Sequence, residues 1–440
     1  MRINADNIFK FDFKIKEGAT IFKNNNGLYL KNDSKIHKLN ETGAIIFSAL
    51  KQNNSIREII DLLATTFKIP SEKITLDILY FLKGIYQNKV LSIYYNRINI
   101  NVPSWEIDAL QTVQVIVTHN CNLRCCHCLI PEYNNQFLTL PDYEAIFRQL
   151  YAFGNEFINF SGGELFTRND IFDIFENVVG AGIDYGFNTN GTLIDLAKVN
   201  KLKENPPKDI SVSLYGHNKK LHELVTKAEG SFAKTVNAIK LFLTAGFNLT
   251  IKTMVTKFNI NQVEKLAEFS ENLGVENIVF DSTIFRKNDG SSTPLQYRAT
   301  EEDLYKFENS KFGKELEFKP REYDSLICNA GVTRIAIDTD GTVYPCSIFR
   351  LPIGNLKKQK LKSILDDSDE FNKYLQFRVK HLPGECLNCE GVNFCKICPG
   401  LSYNEHKDYR QRYDFECMRT KAKIDGKKTI DRQQLRRTAT

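Results

Sequence analysis

The chain has 440 residues, 42% apolar, 25% charged and 11% aromatic, with a net charge of +6. That length exceeds one ordinary core and predicts two to four domains, and the mix excludes a fibre, a mainly disordered chain and a membrane bundle. The charge is too mild and dispersed to predict a nucleic-acid partner, and no apolar run approaches the roughly 18 residues that a bilayer span needs.

Residues 1–95 contain no cysteine. Alternating apolar stretches at Phe9 to Phe13 and Leu28 to Leu30 flank the turn signal Asn24-Asn25-Asn26-Gly27 and predict short strands. Three helical patterns follow: ETGAIIFSALK with Asn40 as N-cap, IREIIDLLATTF with Ser55 as N-cap, and EKITLDILYFLKGIYQ after Pro70-Ser71. A linker is expected around Pro103. The opening MRINADNIFKFDF lacks the apolar stretch of a secretory signal, so a cytoplasmic location and no membrane partner are expected.

Strands and helices then alternate. Strands are predicted at 113–119, 157–161, 184–189, 209–215, 249–255 and 277–282, with amphipathic helices between them and Gly180, Gly182, Gly246 and Gly274 where those helices should end. Six βα repeats with short connections require a parallel sheet, either a curling barrel or an open doubly wound sheet. From about residue 320 regular patterns thin and seven cysteines crowd. The last twenty residues are basic and polar and are expected to form a flexible tail.

Eleven cysteines in a long chain without a secretion signal point to metal binding or catalysis before disulfides. Cys121, Cys125 and Cys128 form CxxxCxxC just past the first predicted barrel strand, where parallel βα folds place active sites. Three thiolates on one tight loop can hold three irons of a 4Fe–4S cluster and leave the fourth open as a reaction site. A zinc knuckle is the competing reading, but its fourth local ligand would have to be His127, in awkward geometry.

At these residues the chain resembles the radical S-adenosylmethionine (SAM) superfamily, and the resemblance extends through the six repeats. Phe160-Ser161-Gly162-Gly163-Glu164 looks like that family's GGE motif, whose glycines admit the methionine part of SAM and whose carboxylate takes its ammonium. Asn188-Thr189-Asn190-Gly191 resembles its TNG segment, and Ser211 to Gly216 its SVSLDG strand, with Ser213 at the ribose or carboxylate and Tyr215 where aspartate is common. His127 occupies the aromatic position that lines the adenine site. Lys252 and Thr256 are further candidates for the SAM pocket. The resemblance implies a partial (β/α)6 barrel over 96–305, in which SAM bound at the open iron is cleaved to a 5′-deoxyadenosyl radical that abstracts hydrogen.

Cys328, Gly341 and Cys346 look like the opening of the SPASM extension of peptide-modifying members, and Cys386, Cys389, Cys395, Cys398 and Cys417 continue it. The gap between Cys395 and Cys398 is one residue shorter than usual. By resemblance, Cys386, Cys389, Cys395 and Cys417 hold one auxiliary 4Fe–4S cluster, while Cys328, Cys346 and Cys398 hold another with an open iron or a non-cysteine ligand. That makes three clusters, a SPASM domain over 306–420 and a tail over 421–440, with Cys126 left as an inert thiol.

The run from Tyr29 to Phe47 resembles the peptide-chaperone domain of pyrroloquinoline quinone biosynthesis, a winged-helix-like α+β module also called the RiPP recognition element. It implies that residues 1–95 bind the leader of a precursor peptide as an added strand beside 27–31, against a groove helix near Ile74–Ile85. The resulting expectation is an α/β radical SAM oxidoreductase that cross-links a core peptide, through a thioether to a Cys sulfur or through a carbon–carbon or carbon–oxygen bond. A low-potential electron donor of flavodoxin or ferredoxin type is implied. Epimerisation, formylglycine formation (disfavoured because Ser347 replaces the usual aspartate) and a non-catalytic metal-binding adaptor are the alternatives. Asp281 and Tyr215 are candidate bases.

Overall fold

The computed structural model describes residues 3, 8–24, 27–32, 35–87, 90–95, 98–100, 110–131, 137–153, 155, 157–313 and 321–438. The expected linker at Pro103 and the centre of the turn at Asn25-Asn26 lie outside the described residues. The chain forms two compact units, Met1–Thr112 with Arg148–Glu156, and Val113–Phe147 with Phe157–Thr440.

The first unit opens with β1 (Phe11–Ile15), β2 (Thr20–Asn24), β3 (Gly27–Asn32) and β4 (Lys35–Leu39), continues through α1 (Glu41–Lys51), α2 (Ile56–Phe67) and α3 (Ser71–Gln87), and closes with β5 (Leu91–Tyr95) and β6 (Ile98–Ile100). Both predicted caps form. Asn40 Oδ1 accepts the Gly43 N–H at 2.8 Å, and Ser55 and Glu58 satisfy one another in a capping box. The helices bury one face each; Ile56, Ile59, Ile60 and Leu63 of α2 recur at helical spacing. The stretch at 27–31, expected at a free edge, is instead the centre of a β2-β3-β4 sheet, so the outer strands of that sheet are β2 and β4. β3 pairs antiparallel with β2 on one side and with β4 on the other.

The second unit is built on six strands: β7 (Thr112–Thr118), β8 (Phe157–Gly162), β9 (Asp184–Thr189), β10 (Asp209–Ser213), β11 (Leu249–Met254) and β12 (Asn277–Asp281). They neighbour one another in chain order, with parallel pairing from β8 through β12. Intervening helices are α4 (Leu140–Ala152), α5 (Ile171–Gly180), α6 (Leu196–Leu202), α7 (Lys219–Thr226), α8 (Ser231–Thr244) and α9 (Val263–Asn272). Alternation decides the strand faces: Val113, Val115 and Val117 of β7 are all 0% exposed.

After α10 (Glu301–Glu308), the hairpin β13 (Arg334–Ile337) and β14 (Thr342–Tyr344), with β15 (Gly354–Asn355), joins the same sheet beside β7. Short helices α11 (Leu361–Asp367), α12 (Asp369–Leu375), α13 (Gly384–Leu387) and α14 (Pro399–His406) carry the cysteine-rich segment, and α15 runs over Asp414–Thr438. Residues 421–438, expected as a basic tail, continue α15 as helix. Lys, Arg, Gln and Ala are good helix formers, acidic residues sit in the first turn, and the helix packs against α10. No helix among the described residues is long and apolar enough to cross a membrane.

Candidate active site

At the exit of β7 the chain turns through His119 and Asn120 into the loop of Cys121, Cys125 and Cys128. Local bonds set that turn: the Asn120 N–H donates to Thr118 Oγ1 at 3.0 Å, and the Cys128 N–H to the Cys125 carbonyl at 3.0 Å. The loop is tied to the end of α7 by Arg124 N–H to Thr226 O (3.1 Å) and Cys126 N–H to Val225 O (2.9 Å). The three thiols line a cavity of about 480 Å³ together with His127, Gly162, Gly163, Asn188, Asn190 and Ser213, a size suited to a small-molecule site.

Burial pushes the Cys121 thiol up to about 11 and raises Cys128. Cys125 lies well above the ordinary value through burial and the fields of Cys128, Cys121 and Cys126. Buried thiols that share one another's field need a cationic partner to ionise together. That donor set fits an iron–sulfur cluster.

The glycine pair has a reason within the chain itself. The Gly163 N–H donates to Thr118 O and the Glu164 N–H to Asn120 O, both at 2.8 Å. A Cβ on Gly162 would collide with the Thr118 carbonyl, and one on Gly163 with that of Asn120. Only glycine lets the end of β8 close on the cysteine-bearing loop while both residues still face the cavity.

Two of the expected cofactor residues, Glu164 and Thr256, do not line the cavity. Glu164 is 0% exposed, and its carboxylate accepts from Thr189 Oγ1 and from the Asn190 N–H, each at 2.7 Å. Desolvation raises its carboxyl to about 6 in spite of those bonds. Glu164 therefore reaches the site through Asn190, whose Nδ2 donates to Asn122 Oδ1 at 3.0 Å and to Cys121 Sγ at 3.8 Å.

Asn188 Oδ1 accepts from Lys252 Nζ at 2.9 Å; Lys252 lines the cavity, and burial lowers its ammonium. Thr256 is 0% exposed and spends its backbone N–H and hydroxyl on Asn259. His127 meets Tyr215 edge-on at 4.9 Å. Burial pushes its imidazole down to about 4, and its Nδ1 is buried without a partner. A neutral, unpartnered ring nitrogen in the wall fits a ligand offering an N–H donor, as adenine does. Of the candidate bases, Tyr215 is a wall residue whose phenol burial pushes far up. Asp281 instead accepts the Thr283 N–H at 2.9 Å and does not line the cavity.

Sequence reasoning missed a polar trio in the same wall. His119 Nε2 pairs with Asp338 Oδ1 at 2.8 Å across 219 positions, and Arg350 pairs with the other carboxylate oxygen. The Arg350 guanidinium also lies 3.8 Å from the Tyr344 ring centroid. His119 and Arg350 line the cavity, with Asp338 behind them. Burial works against the Asp338 charge, yet His119 and Arg350 hold its carboxyl well below the usual range. The one available signal was a histidine at a strand exit; nothing local marks Asp338 as its partner.

The remaining cysteines gather in two sets. Burial, with the fields of Cys346 and Cys328 adding to it, pushes Cys398 up to about 12. Cys386, Cys389, Cys395 and Cys417 line a second cavity of about 400 Å³. Burial, with Cys386 next, pushes Cys417 up to about 11. Arg321 fixes that loop by donating to Val392 O (3.0 Å) and Cys395 O (2.6 Å). Cys126 is half-buried.

Comparison with known proteins places this geometry. Residues 115–270 match the model of the Radical SAM superfamily, 328–390 that of the SPASM iron–sulfur cluster-binding domain, and 28–91 that of coenzyme PQQ synthesis protein D (PqqD). The AdoMet-dependent heme synthase of Methanosarcina barkeri is 26% identical over 329 residues, covering 68% of this chain and 94% of that protein. The antilisterial bacteriocin subtilosin biosynthesis protein AlbA of Bacillus subtilis is 24% identical over 307 residues, 67% of this chain and 68% of AlbA. Among solved structures, Streptococcus suis SuiB bound to precursor peptide SuiA superposes with a TM-score of 0.60 at 17% identity, over 92% of this chain and 99% of that one. Native anSMEcpe with bound AdoMet gives 0.56 at 18% identity, over 72% and 96%.

Proposed function

The chain belongs to the radical SAM superfamily, with SPASM and PqqD-type segments, and from that premise we propose that it modifies a ribosomally made precursor peptide. The single observation that carries the peptide substrate is the PqqD-type segment at 28–91 on the same chain as the radical SAM core and its cysteine-rich extension. A leader adds as a strand to an outer strand of the β2-β3-β4 sheet, beside α3.

Cys121, Cys125 and Cys128 hold the reactive cluster, Cys386, Cys389, Cys395 and Cys417 a second, and Cys328, Cys346 and Cys398 a third. Bound cluster and SAM together supply reductive cleavage of a sulfonium bond and hence hydrogen abstraction from an unactivated C–H bond. The chain supplies orientation. Asn190 directs Cys121, the glycine pair holds the loop, and Ser213 and His127 wall the adenosine. Lys252 faces the SAM carboxylate. The enzyme works in the cytoplasm, with electrons from a small low-potential carrier.

The bond formed is a thioether from a peptide Cys sulfur to carbon. The three-cysteine set supports this, since an iron without a fourth thiolate can take a substrate sulfur. Formylglycine formation with a carboxylate base next to Cys346 is disfavoured: Ser347 stands there, and no carboxylate is among the described lining residues. A second reading, a tetrapyrrole substrate, draws on the named activity of the heme synthase relatives but leaves the PqqD-type segment without a use.

The test is anaerobic co-expression with short cysteine-containing peptides encoded beside the gene, followed by mass spectrometry before and after thiol alkylation. The expected result is a loss of about two mass units per event with one fewer alkylatable thiol. The same loss with every thiol alkylatable replaces the thioether by a sulfur-sparing bond. Unchanged peptides beside an enzyme that cleaves SAM overturn the peptide reading.

A further inference from the structure

Tyr374 sits on α12, 4% exposed, and its hydroxyl has no hydrogen-bond partner. Buried hydroxyls normally find one. The segments carrying three cysteines close around this helix. After Cys328, the chain at Gly331 packs so tightly on Phe371, one turn before Tyr374, that a Cβ there would enter the Phe371 ring. After Cys346, the Phe349 N–H donates to the Cys346 sulfur at 3.3 Å, and the Phe349 ring meets Tyr374 edge-on at 4.8 Å. Cys398 caps α14, whose Gly400 lies against the Phe349 backbone. Burial, and after it the fields of Cys328, Cys346 and Cys398, push the Tyr374 phenol far up. The fourth cysteine that would complete this set is absent, and a buried oxygen with no partner lies on the helix that these segments pack against.

We propose that the Tyr374 oxygen is the fourth protein ligand of the cluster held by Cys328, Cys346 and Cys398, and that a peptide cysteine displaces it when substrate arrives. On ligation the phenol O–H bond breaks, an iron–oxygen bond forms and the proton leaves to solvent; no electron moves. On displacement the peptide S–H proton passes to the phenolate oxygen as the iron–oxygen bond gives way to an iron–sulfur bond, again without oxidation. Iron in a sulfide cluster favours the softer thiolate, so the exchange runs forward when the peptide is seated; when the thioether product leaves, the phenol binds the iron again and its proton goes to solvent, as in the first ligation. The Phe349 and Tyr409 rings, the latter 5.5 Å from Tyr374, keep the phenol beside the iron in both states. The displacement step rests on the peptide-modifying function proposed above; the resting ligation does not.

Resonance Raman spectroscopy of the anaerobically reconstituted full-length holoenzyme tests both parts. Without peptide, the wild type should show tyrosinate ring modes enhanced through phenolate-to-iron charge transfer, and Tyr374→Phe should lack them. Tyr374→Cys, which offers a thiolate at the same place, should keep the wild-type iron and sulfide content and also lack them. Ring modes missing from the wild type, or surviving in either variant, overturn the ligation. Adding a synthetic cysteine-containing precursor peptide should abolish the modes, and its Cys→Ser version should leave them. Modes that persist with the cysteine peptide overturn the displacement. Modes present in a holoenzyme that alters no peptide on co-expression leave the ligation standing and overturn the peptide-modifying function.

Discussion

The CxxxCxxC loop and the cysteine-rich extension use the same side chain under opposite folding constraints. Cys121, Cys125 and Cys128 are positioned by bonds made within the loop and to the adjacent end of α7, so their spacing alone describes most of the site. The extension draws its cysteines from between Cys328 and Cys417, and they come together only once α12, α14 and α15 have packed. A local motif keeps its meaning in isolation, whereas an assembled one exists only as tertiary structure. Removing a ligand from the local loop should have the largest effect: Cys125→Ala should abolish 5′-deoxyadenosine formation and lower iron content by one cluster, with both other sets still loaded. Iron and sulfide assays beside product chromatography check this. Normal 5′-deoxyadenosine from the variant would place the reactive cluster elsewhere.

The assembled side of the comparison is sharpened at Asp338, which joins the segment after β13 to His119 at the exit of β7. Asp338→Asn leaves His119 and Arg350 facing a neutral amide in a buried site. Breaking one partner of such a network costs about 3–5 kcal/mol, to be read as a lower denaturation midpoint of the holoenzyme. The pH dependence has a definite sign. A carboxyl held below its unfolded value of about 3.9 lends stability that is present above that pH and is lost as pH falls towards the folded value. The variant should lack this loss between pH 4 and pH 3. An unchanged midpoint would mean that the trio adds nothing to the sheet it spans.

Glu164 should behave in the opposite sense. Its folded value of about 6 lies above the ordinary 4.5, so the stability it lends is complete below pH 4.5 and is lost as pH rises through 6. About 1.5 units corresponds to about 2 kcal/mol. Wild-type stability attributable to this group should fall across that window, and Glu164→Gln should flatten the slope in denaturation measured at stepped pH. A slope that survives the substitution assigns it to another group.

The two regions differ in legibility for the same reason. All six strands β7 to β12 were readable because alternation and flanking glycines act over a few residues. The site residues on the strand exits were readable as motif letters, and all but Glu164 line the cavity. The turn of the Glu164 carboxylate towards Thr189 and Asn190 was not readable, because spacing marks a residue's place in the chain and says nothing of which way its side chain points. Asp338 stayed invisible because its partner His119 lies 219 positions away, and Arg350 because its only mark is its pairing with Asp338. The centre position of β3 was missed because the hairpin signal names a turn without fixing how many strands follow. The helix over 421–438 was missed because charge was weighed above helix propensity.

The smallest expected effect tests the local end of this comparison in the first unit. Asn40 was readable as an N-cap from sequence, and its Oδ1 accepts the Gly43 N–H at 2.8 Å. It satisfies one backbone donor that the first turn of α1 leaves open. Gly43 belongs to the same arrangement, since a Cβ there would press on both Asn40 Oδ1 and the Phe81 ring of α3. Asn40→Ala should destabilise this unit by about 1 kcal/mol, while Asn40→Ser, which keeps an acceptor, should recover most of it. Because the cap is built from residues three apart, the loss should appear in denaturation of the first unit and leave 5′-deoxyadenosine formation unchanged. A matching fall in that activity would show that α1 contributes to the chemistry of the cluster loop, and would erase the distinction between local and assembled parts on which the other predictions stand.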